Sequence, residues 1–168
     1  MLIVLGGLPG TGKTTIAREI AALVPCVYLR IDTIEQALRS TDALAGEVGP
    51  AGYVVAYELA RSNLSLGQTI VADCVNPLPV TREAWQAVAA DTSSRIVEVE
   101  IEIVCSDIAE HRRRVEQRSI DVPGLVPTTW AAVQQRDYEP WTTQRLVIDT
   151  AFLGAREAAE VILSHTRD

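Results

Sequence analysis

The stretch Gly7-Leu8-Pro9-Gly10-Thr11-Gly12-Lys13-Thr14 fits the spacing G-x-x-x-x-G-K-[ST]. Each residue type in it has a use. Glycines let a backbone turn tightly and aim its N–H groups at an anion. The first turn of a following helix adds free N–H groups and the positive end of the helix dipole. Lys13 then reaches the outer phosphates of a nucleotide, and the Thr14 hydroxyl ligates Mg²⁺. Leu8, Pro9 and Thr11 complete the loop, and Thr15 extends it into the helix.

The motif requires a strand before it and a helix after it. Leu2-Ile3-Val4-Leu5 reads as a buried strand. Ile16, Ala17, Ile20, Ala21, Leu23 and Val24 recur at helical spacing, and Pro25 ends the helix. Further along, Cys26–Ile31 reads as a second strand with Asp32 at its end. Thr33–Arg39 reads as a short helix, residues 40–50 as a loop, and residues 51–66 as a helix closed by Gly67. Thr69–Val75 is the third strand, carrying Asp73 near its end. A turn at 76–79 leads into a helix over 80–90 with Trp85, Val88 and Ala89 facing inward. Arg95–Cys105 is the fourth strand. In it Glu98, Glu100 and Glu102 alternate with apolar residues, which predicts a face that is wet over much of its length, with the first half of the strand projecting beyond the covering helices. Asp107 caps a helix to about Arg118, residues 119–127 form a loop, and Thr128 or Thr129 caps a helix to about Asp137. Arg145–Asp149 is the fifth strand, with Thr150 beyond it, and 156–166 the last helix.

Strands alternating with helices five times predict an α/β fold with a parallel sheet and right-handed crossovers. Ligands of such sheets bind at the carboxyl ends of the strands. The glycine loop, Asp32, Asp73 and Thr150 all fall there.

Composition sets limits. The chain has 168 residues, 48% hydrophobic and 22% charged, which suits one globular domain over 1–168. No apolar run reaches membrane-spanning length, and Met1 leads straight into a strand without a basic leader, so the expected location is cytoplasmic. Cys26, Cys74 and Cys105 match no metal or C-x-x-C spacing and read as buried free thiols. A net charge of −7 and 5% aromatic residues argue against a nucleic-acid partner. The expected partner is a small-molecule acceptor, with the chain a monomer or homodimer.

In element order, and specifically at Gly7–Thr14, the chain resembles the small P-loop kinases: gluconate kinase, adenylylsulfate kinase, shikimate kinase and chloramphenicol phosphotransferase. Ile31-Asp32, Val71-Ala72-Asp73, the arginine-rich stretch 110–118 and Gln135–Pro140 carry the rest of the likeness. The last looks like the Glu-Pro segment of gluconate kinases. The His-containing segment after their substrate aspartate is absent; Asp32-Thr33-Ile34-Glu35 is closer to the chloramphenicol phosphotransferase pattern. The adenylylsulfate kinase substrate motifs are missing too. The resemblance implies a three-layer P-loop NTPase fold, a five-stranded sheet of order 2-3-1-4-5 flanked by helices, and a small helical lid near 110–127.

It also implies roles. Asp32 is the candidate base, or the carboxylate that orients an acceptor hydroxyl; the alternative is a helix N-cap. Asp73 resembles the acidic residue that holds the Mg²⁺ shell through water; the alternative is a carboxylate satisfying the loop 74–78. The two could exchange roles. Arg114 and Arg118, four residues apart, share a helix face and are candidates to contact ATP, Arg114 as a catalytic group; the alternative is a solvated face with ordinary ion pairs. His111 in that run reads as exposed and uninvolved. Arg39, Tyr53, Asn76 and Arg82 are candidates for the acceptor side, with Arg30 and Tyr57 beside them. Arg82 could equally be a packing residue, and Tyr138–Trp141 a packing corner. The reading is a kinase moving the ATP γ-phosphate to a hydroxyl of a small molecule. The rivals are a polynucleotide 5′-hydroxyl kinase and a nucleotide-dependent switch.

Overall fold

A computed structural model of the chain describes residues 1–41, 48–90 and 98–166. Parts of the expected 40–50 loop and fourth strand, 42–47 and 95–97, lie outside them. Five strands, β1 (Leu2–Gly6), β2 (Val27–Arg30), β3 (Ile70–Asp73), β4 (Glu98–Val104) and β5 (Leu146–Asp149), form one parallel sheet in the order β2-β3-β1-β4-β5. The helices are α1 (Lys13–Leu23), α2 (Ile31–Arg39), α3 (Ala51–Ser65), α4 (Pro79–Ala90), α5 (Ile108–Glu116), α6 (Trp130–Gln134) and α7 (Ala155–His165). This is the expected three-layer fold and strand order.

The alternation of strand side chains sorts the core into two layers. Ile3, Leu5, Val71, Ile101, Ile103 and Ile148 meet Ile16, Ile20, Ala159 and Ile162 of α1 and α7 on one face. Leu2, Val4, Ile70 and Ala72 meet Ala56, Ala60, Leu64, Trp85 and Val88 of α3 and α4 on the other. The central strand β1 is buried along its whole length, so it reads as a continuous apolar run. Caps fall where their chemistry allows. Asp107 accepts from the Glu110 N–H at 3.0 Å, and Thr129 accepts from the Ala132 N–H at 3.2 Å. Gly67 closes α3 with φ 77°.

The fourth strand departs from expectation. Glu100 is buried, and Glu102 has a side chain only 12% exposed. Their face is covered by α4 and by the segment 138–145. Gln86 and Thr143 donate to one Glu100 oxygen, Tyr138 and Arg145 to Glu102. Alternation predicted water; a polar cover bonds both Glu102 oxygens and one Glu100 oxygen, and leaves Glu100 Oε1 buried without a partner among the described residues. α5 stops at Glu116 rather than Arg118, and α6 at Gln134 rather than Asp137. Cys74 and Cys105 are buried, while Cys26 is half-buried at the start of β2.

Candidate functional site: a cationic cleft at the carboxyl edge of the sheet

The loop after β1 needs glycine where the chain turns back on itself. Gly7 has φ 143°, and a Cβ there would collide with the carbonyl oxygen of Ile103. Gly10 has φ 86° and lies under Val115 and His111 of α5. α1 then starts with no side-chain cap, leaving its first N–H groups for another acceptor. Thr11 Oγ1 and Lys13 Nζ both donate to the Leu8 carbonyl, each at 2.9 Å. Lys13 is only 7% exposed. Burial lowers its pKa, and the nearby carboxylates of Asp73 and Asp32 oppose that.

The loop floors a cleft of about 490 Å³ lined by Pro9, Gly10 and Gly12–Thr15. Seven cations (Lys13, Arg18, Arg30, Arg113, Arg114, Arg118, Arg136) face three carboxylates (Asp32, Asp73, Asp121) in its wall. In a protein of net charge −7 this is a local reversal of sign, and it suits a polyanion. A second cavity of about 410 Å³ adjoins it through Gly12, Thr15 and Arg114, and is bounded by Thr150 and Phe152.

Asp73 ends β3 beside the loop. Its Oδ2 accepts from Thr14 Oγ1 at 2.7 Å and from the Tyr28 hydroxyl at 2.8 Å. Burial, then the Asp73 charge, pushes the Tyr28 phenol well above its usual range, so it stays a donor. Asp32 is not the N-cap of α2. Arg30 takes that position, without a side-chain cap bond, and Asp32 lies in the first turn, with its side chain 42% exposed to the cleft. Arg30 Nη2 and Arg118 Nη2 approach Asp32 Oδ2 at 3.7 and 3.6 Å. Arg114 donates to Glu110 at 2.7 Å and to the hydroxyl and carbonyl of Thr150 at 2.8 and 3.1 Å. The Thr150 hydroxyl in turn lies 2.8 Å from the Thr11 carbonyl, so α5, the glycine loop and the turn after β5 are joined at one point.

Four expectations do not reach the cleft. Arg82 is buried and donates to the carbonyls of Asn76, Pro77, Glu139 and Pro140 at 2.6–3.2 Å. Its guanidinium lies 4.2 Å from the Trp141 ring centroid. It ties the turn after β3 to the packing corner 138–141 and has no donor directed at the cleft. Asn76, at φ 52°, is fully buried, and its N–H donates to the Tyr53 hydroxyl at 3.0 Å. Tyr53 is thereby part of the same support. Arg39 pairs with Glu35 on the surface of α2.

His111 is also corrected. It is 7% exposed, its Nε2 lies 2.8 Å from the Pro9 carbonyl, and its ring meets Trp130 edge-on at 5.1 Å. Asp121 was not anticipated at all. It sits in the segment between α5 and α6, and accepts from Arg30 Nη1 at 3.0 and 2.8 Å and from Arg18. Hydrogen bonds from Arg30, then Arg18, hold its carboxyl down to about 2 against partial burial. Phe152, 83% exposed, lines the second cavity and carries no motif that marks it in the sequence. The signal for it in the sequence is its place in the turn after β5, two residues beyond Thr150.

The fold and this site define a P-loop kinase-like protein. The chain belongs to the AAA_33 family, an AAA domain, whose model matches residues 2–141. The uncharacterized protein Rv2004c of Mycobacterium tuberculosis (strain ATCC 25618 / H37Rv) is 35% identical over 109 residues. That match covers 58% of this chain and 22% of the relative, so the chain spans only a fraction of that protein's length. Among solved structures, the M. tuberculosis APS kinase CysC, in complex with AMPPNP and APS, superposes with TM-score 0.69 at 16% identity, covering 99% of this chain and 97% of that one. A gluconokinase from Sinorhizobium meliloti 1021 gives 0.66 at 13% identity, over 98% and 90%. Chaetomium thermophilum Kti12, in complex with ADP-AlF3, gives 0.64 at 19% identity, over 98% and 97%. These likenesses concern the fold. Among the described residues no helix is long and apolar enough to cross a membrane.

Proposed function

We propose that the protein is an ATP-dependent phosphotransferase that moves the γ-phosphate to a hydroxyl of a small molecule. The observation that carries this reading is the placement of Asp32. It faces the cleft from the β2 side, while Lys13 and Thr14 form the floor, so a hydroxyl on Asp32 and a phosphate on the loop share one cavity.

The loop N–H groups and the start of α1 bind the phosphates. Lys13 exchanges the Leu8 carbonyl for them. Arg114 and Arg118 approach from the lid side, and the adenine takes the second cavity beside Phe152. Thr14 and Asp73, an all-oxygen pair already 2.7 Å apart, fit the hard-cation preference of Mg²⁺ and would hold it. When bound it supplies charge neutralisation at the transferring group. Asp32 accepts the hydroxyl proton or fixes the hydroxyl in line for attack.

A polynucleotide acceptor is the weaker reading. Single strands bind through aromatic stacking platforms, and no aromatic side chain lines the cleft among the described residues. The test is ATP consumption against a library of hydroxyl-bearing metabolites and antibiotics. Turnover with a small acceptor supports the reading; turnover only with a 5′-hydroxyl oligonucleotide replaces it.

A further inference from the structure

Arg30 is the most constrained cation in the cleft. Its side chain is 5% exposed, at the end of β2, with Asp32, Asp73 and Asp121 around it. Only Asp121 meets it at hydrogen-bond distance. Asp73 is 3.9 Å from Nε and engaged by the Thr14 and Tyr28 hydroxyls; Asp32 is 3.7 Å from Nη2. Nε is buried with no hydrogen-bond partner among the described residues. A buried guanidinium requires an anion close by. Here that anion comes from position 121, in a loop segment that supplies one wall of the cleft, and Arg18 of α1 reaches the same carboxylate. An anion that took the place of Asp121 would face both arginines.

We propose that Arg18 and Arg30 form the recognition site for an oxyanion, carboxylate or phosphate, carried by the acceptor, and that Asp121 holds its place in this structure. The proposal rests on the phosphotransferase reading and narrows its substrate class. Arg30 lies next to Asp32, so the oxyanion and the reacting hydroxyl belong to one small molecule, a few bonds apart. A small hydroxy acid or a phosphorylated alcohol satisfies this; a neutral polyol does not. Lys13 and Arg118, also in the cleft wall, offset the repulsion that Asp32 and Asp73 would exert on such an anion.

The test is calorimetric titration with D-glycerate, glycerol 3-phosphate and glycerol as probes, in saturating ADP so that the glycine loop is filled. The expected result is that Asp121→Asn binds glycerate or glycerol 3-phosphate about tenfold tighter than wild type, because the internal competitor is gone. Glycerol should bind at least about tenfold more weakly than the better anion, by loss of the charge-assisted bonds. Which anion wins identifies the oxyanion. Arg30→Gln should abolish the preference. Arg18→Gln, at a position whose side chain is 58% exposed and safe for folding, should reduce it. Anion binding no tighter in Asp121→Asn than in wild type, or glycerol binding equal to the anions, overturns the proposal. ADP affinity, read in the same cell, keeps the two readings apart. ADP binding without the anion preference removes this proposal and leaves the phosphotransferase. Failure of ADP to bind removes the phosphotransferase, while the glycerate titration repeated without nucleotide still decides this one.

Discussion

Two clusters of arginines and carboxylates are built into this molecule, and their arginines are engaged to different degrees. Behind β4, Arg82 donates to four carbonyls at 2.6–3.2 Å, and Arg145 holds Glu102 at 2.5 Å. Trp141 stacks on Arg82 and donates to Tyr138 at 2.8 Å. In the cleft, Arg30–Asp32, Arg30–Asp73 and Arg118–Asp32 stand at 3.6–3.9 Å, beyond hydrogen-bond distance. The rear cluster spends its charge on the fold. The front cluster bonds Arg30 only to Asp121 and leaves its buried Nε without a partner among the described residues, a reserve that would suit binding and release of a polyanion.

Substitutions test that contrast. Lys13→Ala should break the front cluster most severely, lowering ATP turnover by about 10³–10⁵-fold, the range for losing a charge clamp on a transferring phosphoryl group. The circular dichroism spectrum should not change, since Lys13 bonds only one loop carbonyl among the described residues. Turnover that survives would mean that the loop does not hold the reacting phosphates.

Asp32→Asn keeps shape and removes charge. Phosphoryl transfer should fall by about 10²–10⁴-fold with ATP affinity nearly constant. Asp73→Asn should instead raise the Mg²⁺ needed for half activity, because it alters the Thr14 side of the loop. A Mg²⁺ titration of both variants sharpens the comparison within the front cluster. Rescue of Asp32→Asn but not Asp73→Asn by high Mg²⁺ would exchange the two roles.

Arg82→Ala should do the reverse of Lys13→Ala. Four carbonyls lose their donor, that of Asn76 in a buried bond, and the Trp141 face loses its partner, so unfolding in urea should come easier by about 3 kcal/mol. Nucleotide affinity of the protein that remains folded should hold. A variant of normal stability that binds the acceptor poorly would return Arg82 to the front cluster.

The sequence could show that such clusters exist but not which is which. The strands themselves were readable because segments such as β1 and β3 carry their burial in their own residues, whereas their order in the sheet came only from the family resemblance. The glycine loop, Asp32, Asp73, Arg114 and Arg118 were readable as cleft residues because each lies at or beyond a strand's carboxyl end or on the following helix. Arg82 and Arg30 were not separable, since each is one arginine beside a turn and the difference lies in carbonyls 57 and 58 residues away for one and a carboxylate 91 away for the other. Glu100 and Glu102 looked wet because alternation distinguishes polar from apolar and says nothing of a polar cover supplied from 138–145. His111 hid within a run of charges, and its partner, the Pro9 carbonyl, is 102 positions earlier.

The smallest expected effect reads the same contrast through pH. In the front cluster, Asp121 titrates at about 2 when folded, below the usual 3.8, with Arg30 the main cause. Its stabilising contribution is therefore present above about pH 4 and fades as pH falls toward 2. In the rear cluster, burial raises the pKa of Glu100 above its usual 4.5, with the donors Thr143 and Gln86 opposing. That sign is opposite: folding favours the protonated form, the contribution is full below the ordinary value, and it is lost as pH rises above it. Asp121→Asn should therefore lower stability at pH 7 by less than about 1 kcal/mol, since the pair is partly exposed. Glu100→Gln keeps an oxygen for the two donors and removes a buried charge, so it should raise stability at pH 7 by up to about 1 kcal/mol. Both differences from wild type should close as the pH is lowered, the Glu100 difference first. Urea midpoints measured from pH 2 to 8 check this. A Glu100→Gln variant less stable than wild type at pH 7 would mean that the rear carboxylate needs its charge, and that the two clusters are alike after all.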